Sequence, residues 1–132
     1  MNLETAWYAT LMKPFFAPPA WVFGPVWSVL YAIIAISFAY VFWQTSKGNL
    51  PWLVALPFIL NLVFNFAFTP LQFGLQSNLL AAIDILLVLA TIVWAGIAIY
   101  PYAAWVVYVN IPYFIWVSFA TILQLSITYL NW

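Results

Sequence analysis

An all-α integral membrane bundle is the fold class this chain predicts, and three observations predict it. The 132 residues are 69% hydrophobic and 3% charged, with a mean hydropathy of +1.12; a soluble domain of this size cannot hide that much apolar surface from water. The apolar residues form continuous runs near the ~20 residues that a helix needs to cross hydrocarbon, without the period-two alternation of a barrel strand. Short stretches of Pro, Gly, Asn, Gln and Ser separate the runs. The expected localisation is therefore a multi-pass integral membrane protein, with residues 1–132 forming a single domain.

Four spans are expected. The first runs from about Pro19 to Trp43. It opens after Phe15-Phe16-Ala17-Pro18-Pro19, since proline is tolerated in a first helical turn. It closes at Gln44-Thr45-Ser46-Lys47-Gly48-Asn49, the most polar stretch in the chain. The second runs from about Pro51 to Phe73, with Pro57 and Pro70 inside it or near its ends, and the turn Gly74-Leu75-Gln76-Ser77-Asn78 follows. The third covers about Leu79 to Ile99 and stops at Tyr100-Pro101-Tyr102. The fourth, about Ala103 to Leu130, is longer than a bilayer requires and carries Pro112 as an expected kink.

Residues 1–18 are too short and too interrupted by Lys13-Pro14 to span. They read as an interfacial segment anchored by Trp7, Tyr8, Phe15 and Phe16, or as a loop capping a cavity. They carry no basic n-region of a secretory signal. An even number of spans puts both termini on one side. Lys13 and Lys47 then fall on opposite sides, and the positive-inside count is tied.

Composition also excludes functions. The charged residues are Glu4, Lys13, Lys47 and Asp84, for a formal net charge of zero. Nothing is available to follow a nucleic-acid backbone. Cysteine, histidine and arginine are absent. Disulfides, thiolate nucleophiles, histidine bases, zinc sites with Cys or His ligands and a haem held by His or Cys are excluded with them. This argues against an enzyme and against a resident metal or cofactor.

The polar residues that remain are patterned. Asp84 lies inside an apolar run, where an ionised carboxylate is costly, so it is expected to face other helices, a cavity or the water interface. Asn61, Asn65, Thr69 and Gln72 fall on one face of the second span, and Ser118, Thr121, Gln124, Thr128 and Asn131 on one face of the fourth, with Asn110 near its start. Amides cost free energy in lipid unless paired, so both faces should point into the bundle. Two readings stand: hydrogen bonds that tie helices together, and the polar wall of an internal cavity. Gly24, Ser28 and Ala32 form a small-residue stripe suited to close helix packing. Trp27 and Tyr31, one turn apart, offer ring faces with a polar hydrogen each. Of the 9 Trp, Trp21, Trp43, Trp52, Trp105 and Trp132 fit an interfacial belt at span ends; Trp27, Trp94 and Trp116 lie further inside.

The segment from Trp7-Tyr8 through Leu11, Lys13-Pro14, Pro18-Pro19, Trp21-Val22-Phe23, Pro25-Val26-Trp27 and Leu30-Tyr31 resembles, without a gap, the pattern WYxxLxKPxxxPPxWVFxPVWxxLY of the translocator protein or tryptophan-rich sensory protein family (TspO/MBR). The likeness continues through Asn65, Phe73-Gly74, Asp84, Pro112-Tyr113, Trp116 and Ala120-Thr121. The resemblance implies a five-helix bundle, often dimeric, with a cavity between helices that takes porphyrins and, in some members, sterols or synthetic aromatic ligands. The family's WYxxLxKP segment follows a first helix and covers the cavity mouth. Here it begins within the first residues, so the resemblance implies a chain without that helix, with a partner chain as one source of the missing wall. By position, Trp27 and Asn65 match family residues that hydrogen-bond ligands. Phe23, Tyr31, Asn61, Asp84 and Ala120 match positions in or near the cavity.

Trp116 matches a Trp implicated in porphyrin breakdown in some bacterial members. If the chain has a light-dependent porphyrin-degrading activity, Trp116 and Trp27 are its expected redox residues. The chain also departs from the pattern. Asn61 replaces a Gln, Phe68 and Thr128 each replace a Trp, Leu80 stands where a Trp is common, and Gln124 replaces an Asn. No Lys or Arg follows Lys47, so the cholesterol-motif basic residue has no counterpart. The expected partners are a hydrophobic small molecule, most simply a porphyrin with haem, sterol or other lipid as alternatives, the surrounding membrane lipids, and a second copy of the chain. The expected role is a membrane receptor or sensor that binds a flat ligand; the alternatives are a structural subunit and the degrading activity.

Overall fold

The computed structural model describes residues 20–131, leaving aside the side chains of residues 20, 23, 69, 72 and 73. The expectations for residues 1–18, for the Phe23, Thr69 and Gln72 side chains and for Trp132 lie outside the described residues. After a 3-10 turn at Ala20–Val22, the chain forms α1 (Phe23–Ser46), α2 (Trp52–Thr69), a π-helical turn (Pro70–Gly74), α3 (Asn78–Ile99), α4 (Ala104–Val109) and α5 (Ile111–Leu130). The described residues contain helices and turns and no strand. α1 from Gly24, α3 and α5 are long and apolar enough to cross a membrane; the apolar helix Trp52–Phe68 is shorter, and the π turn extends its path.

The ends of these elements follow from local chemistry. α1 runs three residues past Trp43 because its C-terminus is closed by a Schellman pair. The Asn49 N–H donates to the Gln44 carbonyl (2.9 Å) and the Gly48 N–H to the Thr45 carbonyl (3.0 Å). Gly48 holds φ +80, where a residue without Cβ sits at no steric cost. Asn49 Nδ2 also donates to Gln44 Oε1 (2.6 Å), and Lys47 Nζ lies 4.2 Å from the centroid of the Trp43 ring. At the end of α2, Pro70 has no N–H to continue the ladder, and the helix widens: the Leu75 N–H reaches back to the Pro70 carbonyl (2.8 Å), the spacing of a π turn. Ser77 caps α3 by accepting from the Leu80 N–H (3.1 Å), the usual N-cap to N3 bond.

The fourth expected span is divided. The chain breaks at Asn110, with φ −94 and ψ 4, and Pro112 sits in the first turn of α5. There its missing N–H costs no helical bond. The break replaces the kink expected inside one continuous helix. It also frees Asn110 to tie α4 to α1: Nδ2 donates to Val106 O (2.8 Å) and to Ser37 Oγ (2.9 Å).

α2, α3 and α5 pack side by side, with α3 between the other two. The apolar core runs through Phe38, Val41, Phe58, Ile85, Val88, Ile99, Val106 and Val117. α1 reaches this core mainly through large side chains, such as the edge-to-face pairs Phe38–Phe58 (4.8 Å) and Tyr40–Trp105 (4.9 Å). Its small-residue stripe does not mediate packing among the described residues: Gly24, Ser28 and Ala32 are all exposed, because α1 turns inward the face that carries Leu30, Ile34, Ser37, Phe38 and Val41. Trp21, Trp43, Trp52 and Trp105, the expected belt, are exposed at helix ends. Trp94 is also exposed, on the lipid side of α3.

The polar stripe of the fourth span does not act as one wall. Its C-terminal part clasps the start of α3: Gln124 Nε2 (3.2 Å) and Thr128 Oγ1 (3.0 Å) both donate to the Asn78 carbonyl. Thr128→Val keeps the shape and removes that hydroxyl. It is expected to lower unfolding stability in detergent by about 1 kcal/mol, read as a lower midpoint of helix loss by circular dichroism; an unchanged midpoint would show that the clasp contributes nothing.

Candidate functional site: an aromatic-capped polar relay

Of the sequence-named residues, Trp27, Tyr31, Asn61 and Asn65 meet where α1, α2, α3 and α5 come together. Asn61 and Asn65, one turn apart on α2, are buried, at 0% and 6% exposure. Asn61 Nδ2 donates to the Val88 carbonyl (3.1 Å) and to Thr91 Oγ1 (3.1 Å) on α3. Tyr113 Oη on α5 donates to Asn61 Oδ1 (2.9 Å) and accepts from Asn65 Nδ2 (2.7 Å). Tyr31 Oη on α1 donates to Asn65 Oδ1 (3.2 Å).

One fixed point sets every orientation in this relay. The Val88 carbonyl can only accept, so Asn61 must turn its amide nitrogen toward α3. Asn61 Oδ1 then requires a donor, which is the Tyr113 hydroxyl. With its proton spent, Tyr113 must accept, which turns the Asn65 nitrogen to it and the Asn65 oxygen to Tyr31. The donors run in one direction, Tyr31 to Asn65 to Tyr113 to Asn61 to Thr91, and Thr91 Oγ1 ends the chain on the Leu87 carbonyl (2.8 Å). Bonds aligned this way polarise one another in a low-dielectric interior.

The two ends differ. The inner end is closed on α3 backbone. The outer end is open: Tyr31 is 41% exposed and keeps a lone pair after donating its proton, and Asn65 keeps one amide hydrogen. Aromatic rings frame this end. The Trp27 ring lies 5.3 Å from that of Tyr31, tilted by 31°, and 6.4 Å from that of Tyr113, near edge-on at 67°. Tyr31 also lies 6.3 Å from Phe66.

Asp84 is 4% exposed, so it faces the protein interior and not the water interface. It sits one turn before Val88 on the α3 face that carries Thr91. Its Oδ2 is buried and accepts no hydrogen bond among the described residues. Trp116 and Ala120 are half-buried against the core on α5, and Trp116 packs on Phe119 (5.6 Å).

Thr91 and Tyr113 are relay members that sequence reasoning did not name as site residues. A signal existed for each. Thr91 is two turns beyond Asp84 on one face of α3, and Tyr113 is one turn before Trp116 on α5. An apolar groove of about 610 Å³, with exposed Val93, Ile97 and Ile111 on its rim, starts beside the relay at Phe58, Ile92 and Asn110 and extends to Tyr100 and Pro101. Trp27, Tyr31, Asn61, Asn65, Asp84, Trp116 and Ala120 are not among its lining residues. The α2 amides thus bond to Tyr31, Thr91 and Tyr113 and not to the polar stripe that follows them in the fourth span, and the hollow lies beside them.

The model of the TspO/MBR family matches residues 1–130. The "Tryptophan-rich protein TspO" of Bacillus cereus is 35% identical over 132 aligned residues, covering 98% of this chain and 83% of the relative. The protein of the same name from Archaeoglobus fulgidus is 36% identical, covering 95% and 80%. The human "Translocator protein" is 35% identical, covering 89% and 70%. With one family matched along nearly its whole length, and relatives in bacteria, archaea and mammals at about the same identity, the chain belongs to the TspO/MBR family.

Proposed function

We propose that this chain is a membrane receptor or sensor that binds a flat hydrophobic ligand, a porphyrin or related tetrapyrrole, at the open end of the relay, in the service of sensing, scavenging or translocation. The observation that carries this reading is the pairing of exposed ring surface with unspent hydrogen-bonding capacity at Trp27, Tyr31 and Asn65. A planar aromatic guest gains stacking area on such rings, and a few fixed polar groups set its orientation. Because the amides are locked from the α3 side, the ligand meets a preorganised edge and does not have to order it. The relatives' names, translocator protein among them, agree with a membrane translocator or sensor role.

A second reading, a subunit working with a partner chain, draws support from the exposed Gly24, Ser28 and Ala32 stripe of α1, which allows another helix to approach closely. Crosslinking in native membranes separates the two: a strictly monomeric species with full ligand affinity excludes it.

Protoporphyrin should quench tryptophan fluorescence saturably in the wild type. Trp27→Ala should bind about tenfold more weakly, since loss of an aromatic contact is worth up to ~1.5 kcal/mol. The reading fails if the wild type shows no saturation, or if a Trp27→Ala/Trp116→Ala double variant binds as tightly. Tyr113→Phe leaves Asn61 Oδ1 and Asn65 Nδ2 without their shared partner. It is expected to cost about 1–2 kcal/mol of stability, measured from the unfolding midpoint in detergent; no loss would mean that the relay is not a structural tie.

A further inference from the structure

The relay has a direction, and that direction limits what its open end can offer. Asn65 is 6% exposed, and the donor to its Oδ1 among the described residues is the Tyr31 hydroxyl (3.2 Å). The Asn65 amide cannot be turned round to dispense with it. Tyr113 Oη spends its proton on Asn61 Oδ1 (2.9 Å) and so needs the Asn65 nitrogen (2.7 Å). Asn61 is fixed in turn by the Val88 carbonyl (3.1 Å), which accepts only. Swinging the Tyr31 proton away from Asn65 would strand a buried amide oxygen, a loss that folded proteins seldom carry.

We infer that the open end selects flat molecules whose edge carries a hydrogen-bond donor, that Tyr31 is the residue that selects them, and that Tyr113 is a positioning residue for it. This selectivity rests on the ligand-binding reading above and adds the sense of its polar contact. Tyr31 is 41% exposed, and its ring lies beside those of Trp27 and Phe66. With its proton committed to Asn65, the hydroxyl has only lone pairs left to give. A ligand N–H or O–H, the un-ionised form of an acid included, finds an acceptor there. An ester, ether or carboxylate edge can only accept and finds no proton on Tyr31. Inside a membrane bundle water does not stand in for the missing partner, so a site built around one such bond rejects the analogue that lacks it. The Trp27 indole N–H is a donor outside the relay. It is the same in every variant below and drops out of the comparison between them.

Carbazole and dibenzofuran supply the test. They share a flat tricyclic frame and differ at one edge atom, an N–H against an ether oxygen. Binding of each to the full-length protein in detergent is measured by equilibrium dialysis, corrected for uptake by protein-free micelles, a readout that needs no porphyrin. The expected result is saturable binding of both, with carbazole about fivefold tighter in the wild type. The ratio should fall to about one in Tyr31→Phe, which keeps the ring and loses the oxygen. Tyr113→Phe leaves Tyr31 in place but frees the Asn65 amide to turn, and its ratio should fall to one or below. A purely structural tie would weaken both ligands alike and leave the ratio unchanged. Circular dichroism and retained dibenzofuran binding show that the variants are folded. Equal binding in the wild type, tighter binding of dibenzofuran, no saturable binding of either, or an undiminished preference in Tyr31→Phe overturns the selectivity. An undiminished preference in a folded Tyr113→Phe overturns the positioning role. A carbazole preference without porphyrin quenching sinks the porphyrin reading alone, and saturable quenching with a wild-type ratio of one sinks the selectivity alone.

Discussion

In hydrocarbon, a polar side chain has no solvent to fall back on, and this constraint organises the bundle. Five side chains from four helices answer it with a single directed relay, anchored where Asn61 meets the Val88 carbonyl. That one contact sets the orientation of both amides and both tyrosine hydroxyls. The apolar core fills space around the relay without choosing which helix faces which. Leucine and isoleucine gain little from one apolar neighbour over another when the lipid tails outside are equally apolar. The amides and hydroxyls do discriminate, because a misplaced helix leaves them without partners.

The interruptions of regular helix serve the same end. At Pro70 the lost N–H widens the last turn of α2 into a π turn, so the backbone stays bonded up to the turn that leads into α3. At Asn110 the break between α4 and α5 turns a side chain back onto α1, and the proline two residues later takes the helical position that needs no N–H. Each irregularity lies between protein elements, where freed backbone groups can find partners, as irregular backbone at membrane depth must.

α1 is the least closely packed of the long helices. It is joined to the others by the Tyr31–Asn65 and Asn110–Ser37 hydrogen bonds and by aromatic pairs. Rings reach further than aliphatic side chains, so they keep contact while holding the backbones apart. Ring faces and unspent polar atoms at Trp27 and Tyr31 stay open as a result, and a hollow persists along Phe38 and Phe58.

By itself the sequence determined the membrane class, the four apolar runs and the ends of most helices, because these depend on composition, run length and local capping chemistry that neighbours in the chain supply. It also singled out Trp27, Tyr31, Asn61 and Asn65, since polar groups and indoles stand out against so apolar a background. Helical spacing showed which residues share a face but not what that face meets. The stripe from Asn110 to Asn131 looked like one wall, yet its members bond to three different places: Asn110 to α1, Gln124 and Thr128 to the start of α3, and Thr121 to its own helix through the Val117 carbonyl. Only the tertiary structure decided that Thr91 and Tyr113 complete the relay, that Asp84 points inward, and that the hollow lies beyond the amides. A hydrogen bond between helices depends on distances of a few tenths of an ångström between residues 30 to 52 positions apart, and no local pattern in the chain encodes such a distance.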